Sequence, residues 1–444
     1  MNRTSRNRPA GQENPREQGS PEGRPPRPRR LRIVFLLHNA YAIGGTVRTT
    51  LNLAGALAGR HDVTIVSMAR HRDVPRFEID PRITLVSLVD TRDGSADLAD
   101  PLYARPAADF PARDKRSGKY TRLSDVRARA YLKRCRADVI IGTRPGINVY
   151  LARFGPRRAL RIAQEHLYLD AHHKKLRPVL ARHYRALDAV VTMTEADAAV
   201  YRARMHLPGV RVEAVPNIVP PTGLPPADAT AKVIAAAGRL APGKRFDLLL
   251  AAYAIVAGKE PEWELRIYGG GGQKERLQEL IGELGLTGRA RLMGTRTPIE
   301  AEFARASVVA SASDTESFGM TLVEAMRCAV PVVSTDCPLG PAEIITDGVD
   351  GRLVPTGDPD ALATALLDLI ADEDLRRAMG TAARASAHRY DPEPIVARYE
   401  RLFADLRTTR ARRTWQRESV RVRAGVRRRL RPVLARWREW RTRT

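Results

Sequence analysis

Between Asp314 and Ala325 the chain reads D-T-E-S-F-G-M-T-L-V-E-A, with seven residues separating Glu316 from Glu324. A turn ending at Gly319 with an apolar run behind it predicts a helix from that point. Glu316 then falls in the loop at the helix mouth, and Glu324 lies about a turn and a half inside. The amides of Met320, Thr321 and Leu322 have no partners within such a helix and, with the positive end of its dipole, favour an anion. Carboxylates that accept from sugar hydroxyls, beside amides that donate to phosphate oxygens, describe a site for a nucleotide sugar.

Further candidates stand at the ends of apolar runs. G-R-L-A-P-G-K-R places Arg239 and Lys244 on a loop where cations can neutralise a departing diphosphate, although in so arginine-rich a chain a solvated surface pair explains them equally well. Gly44 and Gly45 follow the first strand, and Gly270 and Gly271 lie in the matching G-G-G-G run of the second half, where bare backbone can approach a phosphate. A lone pair such as Gly44–Gly45 more often just makes a tight turn and is not the dinucleotide fingerprint G-x-G-x-x-G, and a plain strand-to-helix loop explains the second run nearly as well. Thr295, after A-R-L-M-G, and Phe318 complete the donor-side set. His166 ends R-I-A-Q-E-H and can hydrogen-bond a sugar hydroxyl or a backbone carbonyl, but a lone histidine is more often structural. Asp314 and Glu316 could be read as a metal pair. Hard divalent cations want several oxygen ligands and no second acidic cluster is evident, so neither metal nor cofactor is expected.

These residues need a frame to hold them. L-R-I-V-F-L-L, a glycine loop and T-V-R-T-T-L-N-L-A-G-A-L-A predict a buried strand followed by an amphipathic helix. H-D-V-T-I-V-S, R-I-T-L-V-S-L, A-D-V-I-I-G, A-L-R-I-A-Q-E-H and A-L-D-A-V-V-T-M-T add further strands. After the proline-rich P-N-I-V-P-P-T-G-L-P-P a second series of strands and helices begins. The expected fold is therefore α/β, two Rossmann-like doubly wound domains facing across a cleft, with ligands beyond the carboxyl ends of the strands. The expected boundaries are a disordered basic tail at 1–30, an acceptor domain at 31–218, a linker at 219–230, a donor domain at 231–387, a crossover helix at 388–407 and a basic amphipathic tail at 408–444. The polar, aperiodic stretch from Thr91 to Gly118 is expected to be a long loop over the cleft or a disordered insert.

Composition bounds the function. The 444 residues, 43% hydrophobic, are enough for two cores, and the formal charge of +25 is concentrated at the ends. Residues 1–32 hold nine arginines against Glu13, Glu17 and Glu22; residues 401–444 hold sixteen against Asp405, Glu418 and Glu439. Three of the four tryptophans, Trp415, Trp437 and Trp440, lie among the C-terminal arginines. Residues 408–444 suit either an anionic membrane surface or no partner at all. Cys135, Cys328 and Cys337 match no zinc or disulfide pattern, and no run is long enough to span a membrane, so the expected location is the cytoplasm, with or without peripheral contact to the inner membrane face.

Taken together, the Gly44–Gly45 pair, Q-E-H at 164–166, G-R-L-x-x-x-K at 239–244, Y-G-G-G-G, E-S-F-G-M-T-L-V-E-A-M and C-A-V-P-V-V-S resemble the retaining GT-B glycosyltransferases of family four, which include sucrose, lipid and wall-polymer glycosyltransferases. The resemblance covers about residues 31–406. It implies a nucleotide-sugar donor, with UDP the usual base, bound without metal by the C-terminal domain, and a glycan, wall-polymer or lipid acceptor on the N-terminal one. By the family pattern Glu324 holds the ribose, Glu316 the donor sugar, Arg239 and Lys244 the diphosphate, and His166 a hydroxyl of the sugar at the reaction centre. D-C-P-L-G-P-A-E-I-I-T-D-G-V-D-G is similar to the branch acting on polyol-phosphate polymers or envelope glycans, while Ser317 replaces the glycine of the usual E-G-F-G. Two rivals remain at this stage: a nucleic-acid-binding protein, suggested by charge but lacking any recognisable module, and a sugar-nucleotide epimerase or phosphorylase on the same architecture.

Overall fold

Short runs rich in Val, Ile, Leu and Ala form strands buried on both faces, the pattern of parallel sheets covered by helices. In the computed structural model, which describes residues 29–419, the first half contains β1 (Arg32–Leu37), β2 (Asp62–Arg70), β3 (Thr84–Asp90), β4 (Val139–Gly142), β5 (Leu160–Glu165), β6 (Ala189–Thr192) and β7 (Arg211–Ala214). The second contains β8 (Val233–Ala237), β9 (Glu264–Tyr268), β10 (Ala290–Gly294), β11 (Val308–Ser311), β12 (Val332–Thr335) and β13 (Gly351–Val354). Each half makes one parallel sheet, in the orders β3-β2-β1-β4-β5-β6-β7 and β10-β9-β8-β11-β12-β13. Strand order reverses between β1 and β4 in the first and between β8 and β11 in the second, which marks the two crevices where such sheets take ligands.

From Leu31 onward the described chain forms one unit, and the contacts joining its halves are specific. The helix Pro392–Thr408 returns to the first half, where Tyr399 OH accepts from the Gln164 amide at 2.8 Å and Glu400 pairs with Arg60 at 3.0 Å. Between β7 and β8 the chain is irregular, and Arg327 from the second half donates to Val219 O at 2.7 Å. Glu343 crosses the interface to accept from the amides of Glu195 and Ala196 at 2.9 and 2.8 Å, capping the helix Glu195–Arg204 of the other half. No helix among the described residues is long and apolar enough to cross a membrane.

Two expected segments gain detail in the structure. The stretch from Thr91 to Gly118 is a long, largely irregular loop rather than a disordered insert. It contains the 3-10 turn Ala96–Ala99, meets a second at Ser117–Lys119, and is pinned by Phe110, whose ring stacks on Tyr120 at 3.6 Å and fills the space above Gly146. Part of the expected basic amphipathic tail at 408–444 is seated against the first half. Residues 410–419 are helical, Arg413 pairs with buried Asp188 at 2.8 Å, and Arg417 donates to Gly209 O at 2.9 Å. These arginines hold carbonyls and a carboxylate of the first half. The remainder of that tail, residues 420–444, and residues 1–28 of the expected N-terminal tail lie outside the described residues.

Candidate functional site

The loop after β8 and the loop after β11 meet at the second switch point. Glu316 is held there by Lys244, whose Nζ donates to its Oε1, and by the Ser313 hydroxyl at 2.8 Å. Asp314 N donates to Gly243 O at 3.0 Å and its carboxylate pairs with Arg245 at 3.1 Å, so two ion pairs tie the loops together. Arg239 is exposed and has no ion pair among the described residues, leaving its guanidinium available to a ligand. Arg245, not singled out in the sequence, takes the left-handed conformation with φ of 47°, which ends the short turn Pro242–Lys244 and starts the helix Phe246–Lys259.

The glycines of the second half explain how these loops fit. Gly269 (φ 151°) and Gly271 (φ 155°) lie against the main chain after β8, where an added Cβ would come within 1.8 Å of Gly238 O and 2.3 Å of Leu240 O. Gly270 N–O geometry continues the same seam, its carbonyl accepting from Leu240 N at 3.0 Å, and Thr295 Oγ1 stands 3.2 Å from the Cβ position of Gly270. Their first duty is close packing of backbone on backbone. Gly44 and Gly45 differ, since a Cβ on either would meet nothing within 4 Å. That open space lies at the start of the helix Gly45–Ala58.

The helix Met320–Arg327 begins one residue after Gly319, which adopts φ of 109° as its N-cap. Leu322 N already donates to Gly319 O at 3.0 Å, so the expected trio of free amides reduces to Met320 and Thr321, which have no partner among the described residues. Phe318 is turned into the core, 5.4 Å from Tyr390 in an edge contact, and offers the cleft only main chain.

Glu324 lies one turn into this helix, 3% exposed, and meets a residue that spacing did not single out. Arg48, on the helix that follows Gly44–Gly45, pairs with Glu324 at 2.9 Å and with Glu300 at 2.5 Å. The link joins the starts of two helices from opposite halves. Burial pushes the Glu324 carboxyl up to about 7 against the pull of Arg48, with Glu300 adding to the rise.

His166 follows β5 and is half-buried. Gln164 orients it: the amide NH2 donates to Tyr399 OH, so its oxygen accepts from His166 Nε2 at 3.2 Å and leaves Nδ1 as an acceptor. Burial, then the nearby Arg144, lowers its pKa to about 4, keeping the ring neutral near pH 7. Tyr168, two residues on, lies 3.5 Å from Thr315 beside Glu316, so the His166 loop borders the donor-side loops. No group of three or more His, Cys, Asp or Glu suited to a metal exists among the described residues.

Comparison with known proteins agrees with this frame. The model for "Glycosyltransferase Family 4" matches residues 43–222 and that for "Glycosyl transferases group 1" matches residues 225–386. An exopolysaccharide phosphotransferase of Streptomyces coelicolor is 34% identical over 388 residues, 85% of this chain but 41% of that protein. A poly(ribitol-phosphate) alpha-N-acetylglucosaminyltransferase of Staphylococcus aureus is 26% identical over 52% of this chain and 46% of its own length. The chain thus spans less than half of either relative. Among solved structures, S. aureus TarM superposes with a TM-score of 0.68 at 16% identity, covering 84% of this chain and 98% of that one, and Anabaena HepE bound to UDP and glucose with 0.65 at 20%, covering 84% and 99%. The chain belongs to the group 1 (family four) glycosyltransferases of GT-B fold.

Proposed function

We propose that this glycosyltransferase moves a hexose-type sugar from UDP to a cell-envelope glycan, polyol-phosphate polymer or lipid-linked acceptor, with retention of anomeric configuration. The observation that carries the proposal is the convergence at the cleft: two helix starts from opposite halves meet through Arg48 and Glu324, while Lys244 holds Glu316 at the adjoining switch point. Positive helix ends and cations suit a diphosphate, and the two carboxylates suit ribose and hexose hydroxyls.

In this reading Glu324 accepts from the ribose hydroxyls, which requires Arg48 to yield part of its contact when donor enters. Lys244 and the unpaired Arg239 take the diphosphate and stabilise it as it leaves, Glu316 orients the sugar, and neutral His166 bonds a hydroxyl near the reacting carbon. No metal is needed, because these cations supply the charge. The relative named as a poly(ribitol-phosphate) glycosyltransferase, and the UDP complex of a structural neighbour, support the donor and acceptor classes. Labelled UDP-, GDP- and ADP-sugars, incubated with and without a polyol-phosphate acceptor, test it. Acceptor-dependent product from a UDP-sugar, α-linked when the donor is α, is expected; an isomerised donor formed without acceptor would instead identify an epimerase.

A further inference from the structure

Three strand ends of the first sheet gather polar groups, and of these the donor reading uses only His166. His38 follows β1, Arg144 follows β4 and His166 follows β5, and these strands are neighbours. β1 and β4 flank the switch point of this sheet. The Nε of Arg144 is buried with no hydrogen-bond partner, while the other end of its guanidinium reaches Asp114 at 3.3 Å. Asp114 is buried and already occupied, accepting from the amides of Gly146 at 3.0 Å and Arg116 at 2.8 Å. A buried N–H without an acceptor carries a desolvation cost that a bound anion would remove.

The pinned segment that meets these strand ends brings more charge. Arg116 and Lys119 are exposed and make no ion pair among the described residues. Arg116 is tied through its amide to Asp114, the partner of Arg144, and Lys119 precedes Tyr120, whose hydroxyl meets His38; burial and these cations lower the His38 pKa to about 4, with Asp114 opposing. His38 Nδ1 is bonded to Tyr120 OH at 2.8 Å. These strand ends and the pinned segment therefore gather three cations, one carboxylate and two neutral imidazoles. A net of two positive charges matches a phosphomonoester dianion, which carries roughly −1.5 to −2, better than a single carboxylate, and neutral imidazoles suit the hydroxyls of the same molecule.

We propose that Arg144, supported by Arg116 and Lys119, forms an acceptor-side anion site, and that the acceptor is a polyol carrying a phosphoester close to the hydroxyl that receives the sugar. The word acceptor rests on the glycosyltransferase reading; the anion site itself does not. Glycerol 3-phosphate, neutral glycerol and a short glycerol-phosphate oligomer, each titrated calorimetrically into the full chain with UDP present, make the test and separate a free monoester from a polymer diester. Saturable binding of a phosphorylated probe, no measurable binding of glycerol at equal concentration, and a loss of about tenfold in Arg144→Gln are expected. The Arg116→Gln/Lys119→Gln variant, altered only at exposed positions, should also weaken binding and flatten its salt dependence. Unchanged UDP affinity shows that the donor half of each variant is folded. Failure of both phosphorylated probes to bind the wild type, or equal binding by Arg144→Gln, overturns the proposal. Failure of every UDP-sugar to bind would defeat the donor reading alone.

Discussion

The buried Glu324 should leave a measurable mark on the stability profile, and Glu324→Gln should erase it. With its carboxyl near 7 in the fold and an ordinary value of 4.5, the native state holds more protons than the unfolded chain between those pH values. Stability from this group is therefore fully present below pH 4.5 and is lost as pH rises through about 7. Between pH 5 and pH 8 the span of about two pKa units corresponds to roughly 2 to 3 kcal/mol, at 1.36 kcal/mol per unit. Urea unfolding of wild type and Glu324→Gln at both pH values isolates it. The Asp197 carboxyl, also raised to about 7 chiefly by burial, and the lowered His38 and His166 rings cancel in the difference. The wild type should lose that amount relative to the variant on going to pH 8. Parallel profiles would refute the reasoning, because Glu324 would then be titrating as an exposed carboxylate.

Gly269→Ala should destabilise by about 2 to 4 kcal/mol through its collision with Gly238 O and its positive φ, read as a lower denaturant midpoint. Gly44→Ala, at extended φ of 161° with open space around it, should leave the melting temperature nearly unchanged, within about 0.5 kcal/mol, while weakening UDP binding if the backbone there approaches phosphate. Arg413→Ala leaves Asp188 buried beside fewer cations and should cost about 3 kcal/mol in urea unfolding without altering UDP affinity.

Much of the sheets was legible because buried parallel strands carry apolar runs, as in β1 R-I-V-F-L-L, β4 V-I-I-G and β8 V-I-A-A-A. β7 was not legible, since R-V-E-A combines a short length with two charges and buries only its last residue. The segment after Thr91 escaped for a related reason. Its order comes from Phe110 and Tyr120 seated on the sheet and from Asp109, which gathers Arg122, Arg129 and Arg153 at 3.3, 2.9 and 2.7 Å, and none of these has a period.

Within the site, the Glu316–Glu324 spacing and the loop position of Lys244 could be read locally, because both follow from one strand-loop-helix unit. Arg48 could not, as its partner Glu300 is 252 residues away and only the closing of the two halves brings them together. His38 and Arg144 carried a faint signal: each stands one or two residues beyond an apolar strand, the same placement that drew attention to His166. The contacts of Arg413 and Arg417 could not be read locally, since a basic amphipathic run looks alike whether its guanidinium groups face lipid phosphates or cap buried carbonyls and Asp188.

The central claim is that the cleft joining the halves is a nucleotide-sugar site built on Glu324, Glu316 and Lys244. Calorimetric titration of UDP into the wild type, Glu324→Gln and Lys244→Met tests it most directly. Saturable binding by the wild type, weakened about tenfold or more in each variant, is the predicted result; equal affinity in all three, or no binding of UDP, GDP or ADP by the wild type, would contradict it.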